Sequence, residues 1–192
     1  MHKLVLGSTS PFRRELLARL GLDFITERPD VDESRGDGED ADALVRRLSL
    51  AKAQAVARRH PGALIIGSDQ VASLDGRILG KPGGFDGAVA QLSAMSGRSV
   101  TFHTGLCLLN AASGRIQLEV EHYRVDFRRL DAEQISRYVA REQPYECAGS
   151  FKSEGYGIVL FRAMEGRDPN SLVGLPLMAL IDMLAAEGVV LP

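Results

Sequence analysis

Apolar and polar positions along the chain change period several times, and each change marks an element boundary. Residues 3–7 (KLVLG) form a short apolar run of the buried-strand type. A polar turn, STSP, follows; Ser10 suits a helix cap, Pro11 suits the first helical position, and Leu16, Leu17 and Leu20 supply an inward stripe that Gly21 ends. DFIT reads as extended. From Pro29 to Asp42 the chain is polar and acidic without apolar period, which predicts a long loop of the kind that is usually functional or disordered. Residues 40–60 carry Leu44, Leu48, Ala51 and Ala55 at helical spacing and stop at Pro61-Gly62. The strand ALIIG comes next and ends in Ser68-Asp69-Gln70, after which VASL and RIL flank Asp75-Gly76, a hairpin turn signal. Asp86 is the expected cap of a third helix reaching Gly97. Two long β segments lie between Ser99 and Phe127, divided at Asn110–Gly114, and a helix covers about Asp131–Arg141. The stretch from Cys147 to Phe161 reads as a glycine-punctuated loop running into a strand, and Leu177–Glu187 as the last helix. Strands and helices alternate while hairpins interrupt the alternation, so the class is α/β with a mixed sheet.

Composition narrows the function classes. The 192 residues are 45% hydrophobic and 25% charged, enough to bury a core as one domain or as two closely packed lobes. Lysine and arginine number 23 against 25 acids, a net charge of -2, which lacks the positive excess that drives binding to long nucleic acids. Cys107 and Cys147 make no C-x-x-C pair, and no apolar run approaches the ~20 residues of a membrane span. The expectation is a reduced cytoplasmic protein with no structural zinc site and no membrane association.

Several constellations carry chemistry. In G-S-T-S-P-F-R-R, from Gly7 to Arg14, a strand hands over to a helix start with small hydroxyls and two arginines in the first turn, a phosphate cradle or simply a capped helix with surface arginines. It is not a P-loop, because G-x-x-x-x-G-K-[ST] is absent. Asp69, at the end of the ALIIG strand, sits where open α/β sheets hold ligands, and a carboxylate there can bind a hard cation or take a proton from water; a turn aspartate is the alternative. Asp32 and Glu33 on the acidic loop offer a second carboxylate or are merely solvated. Lys52 and Lys81 can each offset phosphate charge or lie on the surface. In A-G-S-F-K-S-E-G, Ala148 to Gly155, the glycines imply a tight turn or close ligand approach near Glu154. G-R-D-P-N-S-L-V-G-L-P, Gly166 to Pro176, reads as mainly architectural: turn residues, a short apolar strand and a helix start. His2, His60, His103 and His122 are scattered, with neither G-x-S-x-G nor H-E-x-x-H, and Cys107 lies in an apolar β stretch that suits packing. The mixture of carboxylates, lysines and arginines fits metal-assisted phosphoryl chemistry better than acyl transfer.

Taken in order, S-T-S-P-F-R-R-E-L-L from Ser8, V-D-E ending at Glu33, Lys52, G-S-D-Q-V from Gly67, G-K-P ending at Pro82, Ser96-Gly97, Thr104-Gly105, A-G-S-F-K-S-E-G from Ala148 and N-S-L-V-G-L-P from Asn170 resemble the Maf family of nucleoside triphosphate pyrophosphatases. The resemblance spans nearly the whole chain and is greatest to the branch that hydrolyses 7-methyl-GTP; the sister branch acts on dTTP and UTP. It implies one Maf/ITPase-like α/β domain, with a mixed twisted sheet, flanking helices and two lobes around a deep nucleotide-binding cleft. The implied reaction is hydrolysis of the α-β anhydride of a small-molecule nucleotide, with a divalent cation (Mg, Mn or Co), and a homodimer is a possible assembly. Asp69 would be the proton acceptor and, with Glu33, the metal ligand or water activator. Ser8, Arg13, Arg14, Lys52 and Lys81 would hold the triphosphate, and Phe12, Gln70 and Glu154 would set specificity. The methyl-GTP branch often has tryptophan where this chain has Phe12. N7-methylated guanine is cationic, so an aromatic face at Phe12, worth ~0.5–2 kcal/mol by cation–π attraction, and a carboxylate at Glu154 would both favour it. Phe12 is otherwise a hydrophobic staple of its helix. The alternatives are a pyrophosphatase for other nucleotides and a non-catalytic regulator of septum formation.

Overall fold

A computed structural model describes residues 3–153 and 155–191. Strand β1 (Leu4–Gly7) is buried along its length, as its apolar run predicts. Helix α1 (Pro11–Ala18) starts where the Ser10 side chain accepts the Arg13 amide N–H and Pro11 fills the first position. Gly21, at φ +66, then turns the chain into β2 (Phe24–Glu27). The acidic loop follows, and Asp40 ends it by capping α2 (Ala41–Ala57) through the Ala43 amide.

Two expected segments merge into one. β3 (Leu64–Leu74) runs unbroken through Asp69, so Asp69 lies within a strand and not at its end. Its first half pairs in parallel with β1 up to Gly7 opposite Gly67, and its last residues pair with β4 (Arg77–Leu79) across the Asp75-Gly76 turn, where both residues have positive φ. Asp69 therefore sits two residues past the carboxyl end of the parallel ladder, the edge that open α/β sheets use for ligands.

Helix α3 (Phe85–Met95) has extended Gly84 at its boundary with no side-chain cap, so Asp86 falls in the first turn and favours the helix by charge alone. β5 (Ser99–Asn110) and β6 (Ile116–Phe127) match the two long β segments. α4 (Ala132–Glu142) opens with a reciprocal capping box between Asp131 and Gln134. Two short 3-10 turns, Ala148–Ser150 and Tyr156–Leu160, replace the expected loop-to-strand run, and β7 (Phe161–Gly166) begins only after them. The apolar stretch after Asn170 is helical: Asp168 caps and Pro169 initiates α5 (Pro169–Val173), which ends at Gly174, and α6 (Leu177–Ala186) follows.

The sheet order is β2-β1-β3-β5-β6-β7, with β4 on β3. Two compact units share the chain. The first takes the stretches up to Asp69, from Thr104 to Glu121 and from Asp168 onward; the second takes Gln70–His103 and His122–Arg167.

In the first unit, strand alternation divides the apolar residues between two faces. Leu4, Leu6, Leu64 and Ile66 pack with Leu16 and Leu17 of α1 and with Leu180 and Leu184 of α6. Val5, Ile65 and Cys107 pack with Ala53 and Val56 of α2. Burying each Leu or Ile of this kind contributes about 1.5–3 kcal/mol. Two glycines set how closely α2 approaches: a Cβ on Gly67 would fall 2.1 Å from the Ser49 carbonyl oxygen, and one on Gly105 would fall 2.4 Å from that of Val45. In the second unit, α3 packs on α4 and on the first 3-10 turn. Beside them Phe102, Phe127, Phe151 and Phe161 meet edge to face with centroids 4.7–5.8 Å apart.

Candidate active site

The expected inward face of α2, through Ala51 and Ala55, is rotated in the structure. Its buried stripe is Leu44, Val45, Leu48, Ser49, Lys52, Ala53 and Val56, so two polar residues one turn apart lie against the sheet. Both serve Asp69. The Ser49 hydroxyl oxygen accepts the Asp69 amide N–H at 3.0 Å, and Lys52 Nζ donates to Asp69 Oδ1 at 2.6 Å. The same ammonium lies 2.7 Å from Glu33 Oε1, which the acidic loop carries over. Lys52 is 5% exposed and Asp69 8%, whereas the Glu33 side chain is 59% exposed. A buried lysine thus ties together two carboxylates that are 36 positions apart in sequence.

The loop that brings Glu33 is itself fixed. Glu39 accepts from Arg47 of α2 through both carboxylate oxygens, at 2.7 and 2.8 Å, and from the Gly36 amide at 3.0 Å, while Arg47 also donates to the Ser34 carbonyl. These hydrogen bonds hold the Glu39 carboxyl well below its ordinary value, at about 2. Asp32, the other carboxylate of that loop, accepts the Ser34 amide N–H at 2.9 Å and so shapes the turn.

Arg13 and Arg14 part company on α1, as neighbours on a helix do. Arg13 Nε donates to the Gly174 carbonyl at 2.8 Å. Burial pulls its guanidinium below the usual arginine range, and the charges of Asp69 and Glu33 act in the opposite direction. Arg14 is exposed and lines an open pocket of about 390 Å³ with Ser8, Thr9, Ser10 and Thr26. Ser8 is buried and its hydroxyl oxygen accepts the Ser10 amide N–H, while Phe12 is half-buried.

The first unit therefore brings Glu33, Lys52 and Asp69 together beside Arg13 and sets Ser8 with Arg14 at the adjacent pocket. Lys81 and Gln70 belong to the second unit. Lys81 is 65% exposed in the loop after β4, with Glu146 at 3.3 Å, and Gln70 is half-buried on β3 directly after Asp69. Glu154 lies outside the described residues. Cys107 is fully buried, and burial pushes its thiol up to about 12, so it packs and does not react.

Two carboxylate oxygens that converge on one ammonium also suit a hard divalent cation. Magnesium and manganese take one or two carboxylates and complete their coordination with substrate phosphates and water. The donor set of Glu33 and Asp69 fits that requirement.

A sequence profile of the Maf-like protein family matches residues 3–187. The chain belongs to this family. It is 61% identical over 98% of its length to a protein of Alcanivorax borkumensis named 7-methyl-GTP pyrophosphatase, 96% of which is covered. A Pseudomonas aeruginosa protein of the same name is 58% identical, with both chains covered completely. Among solved structures, a HAM1 protein from Coxiella burnetii matches 97% of this chain and all of its own at TM-score 0.56 and 16% identity. The Staphylococcus aureus Ham1 protein matches 96% of this chain and 99% of its own at TM-score 0.54 and 14% identity. These two likenesses establish the Ham1-like α/β fold that this Maf-like chain shares. Among its described residues no helix is long and apolar enough to cross a membrane.

Sequence reasoning selected Asp69, Lys52, Glu33 and Arg13 but missed the residues that place them: Ser49, Arg47, Glu39, Asp168 and Gly174. Ser49 and Lys52 had a signal, since both fall on the Leu44, Leu48, Val56 stripe at three- and four-residue spacing. Arg47 with Glu39 had none, because charged residues eight apart across a loop boundary follow no period.

Proposed function

We propose that this protein is a divalent-metal-dependent nucleoside triphosphate pyrophosphatase that hydrolyses 7-methyl-GTP to 7-methyl-GMP and pyrophosphate. The observation that carries this reading is the buried Lys52 joined to Asp69 and Glu33 beside the half-buried Arg13. Two full-length relatives named for that substrate support it.

A cation held by Glu33 and Asp69 would supply charge neutralisation at the phosphates. Asp69 accepts the proton of the water that attacks the α-phosphorus, and the Ser49 hydroxyl fixes the Asp69 backbone during this step. Lys52 and Arg13 stabilise the negative charge that grows on the phosphate oxygens, with Arg13 presenting the guanidinium edge left over from its Nε bond to Gly174. Ser8 and Arg14 bind the outer phosphates in the pocket at the start of α1. Phe12, Gln70 and Glu154 select the base. Charge separates the methylated base from guanine: the cationic ring gains from an aromatic face and from a carboxylate, and neutral guanine gains less.

The test is steady-state turnover on 7-methyl-GTP, GTP, dTTP and UTP with magnesium or manganese. The reading expects the highest kcat/KM for 7-methyl-GTP and a reduced preference after Glu154→Gln. A higher value for dTTP or UTP would move the protein to the pyrimidine side of the family's chemistry.

A further inference from the structure

The segment from Asp168 to Met178, which looks architectural in sequence, is wired to the site through one carbonyl. The Gly174 carbonyl oxygen accepts from Arg13 Nε at 2.8 Å and lies 3.0 Å from the Ser68 hydroxyl, whose one proton it shares with the Gly105 carbonyl at 2.7 Å, and Ser68 immediately precedes Asp69. Gly174 has φ +116, a backbone conformation that side chains with a Cβ rarely adopt, and a Cβ there would meet Arg13 Nε at 3.3 Å. The loop carrying this glycine is stapled at both ends by one carboxylate. Asp168 is 0% exposed; its Oδ1 accepts the Asn170 amide N–H at 2.8 Å and the Asn170 side-chain amide at 2.7 Å, and its Oδ2 accepts the Met178 amide N–H at 2.8 Å. A second strap runs from the far end of α1, where Arg19 Nη1 donates to Asn170 Oδ1 at 3.0 Å.

A buried carboxylate with three donors is a stiff bracket, because moving any donor leaves charge uncompensated. We propose that Asp168 and Gly174 are positioning residues for phosphoryl transfer: Asp168 sets the height of the Gly174 carbonyl, and that carbonyl fixes the guanidinium plane of Arg13 toward Asp69 and Glu33. An arginine has five N–H donors in one rigid plane, so anchoring Nε determines where the terminal fork points. This proposal rests on the pyrophosphatase reading for its kinetic consequence and stands apart from it in its geometry.

The experiment has two arms. In the first, the Arg13 Nε–H resonance is followed by 15N NMR in the nucleotide-free protein. It is expected to exchange slowly with solvent, and at least tenfold faster in Asp168→Asn, which keeps an Oδ1-like acceptor but places a donor NH2 group where the Met178 amide N–H needs an acceptor. Equal exchange rates in the two proteins overturn the bracket whatever the enzyme's substrate. In the second arm, kcat and KM are measured on the preferred nucleotide for Gly174→Ala, Arg13→Lys and the double variant. Gly174→Ala is expected to lose at least tenfold in kcat with KM within threefold. It should add less than twofold to the loss already caused by Arg13→Lys, because lysine has no Nε–H to anchor. Independent, multiplicative losses, or wild-type kcat in Gly174→Ala, overturn the positioning role. If Gly174→Ala fails to fold, Asp168→Asn takes its place in the same cycle. Wild-type turnover by Arg13→Lys would instead refute the catalytic reading of Arg13 and leave the NMR result standing.

Discussion

Replacing Lys52 by methionine keeps most of the side chain's volume and removes a positive charge bonded to both Asp69 and Glu33. The two contacts are not equal. The pair with Asp69 is 2.6 Å long between side chains 7% and 12% exposed, and breaking such a pair from one side costs about 3–5 kcal/mol because a carboxylate is left buried. The pair with Glu33 is 2.7 Å long, but Glu33 is 59% exposed, so solvent screens it to about 0–1 kcal/mol. Arg13 remains nearby and compensates in part, which places the total near 3 kcal/mol. At about 2–4 °C per kcal/mol for a chain of this size, Lys52→Met should melt roughly 6–12 °C below wild type in buffer without divalent ions. Saturating manganese should then raise the variant's Tm by more than it raises that of the wild type, since a cation binding between the bare carboxylates stabilises only the folded state. Thermal melts followed by circular dichroism, with and without manganese, measure both effects. A variant that melts within 2 °C of wild type, or that gains no more from manganese, would show that Lys52 does not hold the two carboxylates together.

Other consequences follow from the same geometry. Gly67→Ala forces a methyl group against the Ser49 carbonyl and the Ala53 amide, so α2 must lift; the expected loss is about 1–3 kcal/mol in urea titration together with a fall in kcat, and an unchanged midpoint would refute the close approach. Glu39 has a folded value near 2 against an ordinary 4.5, so its contribution is complete above about pH 4.5 and fades as pH falls through 2. Hydrogen exchange at the Gly36 amide, corrected for intrinsic rate, should therefore lose protection between pH 5 and pH 2.5, and Glu39→Gln should abolish that dependence. The Cys107 thiol, raised to about 12, should resist a disulfide reagent at pH 8 in the folded protein and react fully after unfolding; modification in the native state would contradict its burial.

What could be read from the sequence and what could not divide along physical lines. Local signals held where one residue decides one boundary: Ser10 and Pro11 start α1, Asp75-Gly76 turns β3 into β4, and Asp131 caps α4. They failed where tertiary contact decides. Ala51 and Ala55 fit a helical period as well as Ser49 and Lys52 do, but only the latter pair faces the sheet, because Gly67 and Gly105 open room there and Asp69 bonds to both, donating its amide N–H to Ser49 and accepting from Lys52. The same limit hid α5: Asp168 looks like a turn residue until the Met178 amide meets its second oxygen. Asp69 illustrates both sides. It was recognisable as a ligand-edge carboxylate, yet it lies inside a long strand because β3 outlasts its parallel partner β1.

The most direct test of the central claim is 31P NMR of 7-methyl-GTP hydrolysis with magnesium in water enriched in 18O. The pyrophosphatase reading predicts equimolar pyrophosphate and 7-methyl-GMP, with the label on the monophosphate and a loss of at least about a hundredfold in rate for Asp69→Asn, the scale expected for removal of a general base. Release of orthophosphate, label in pyrophosphate, or undiminished turnover by Asp69→Asn would contradict it.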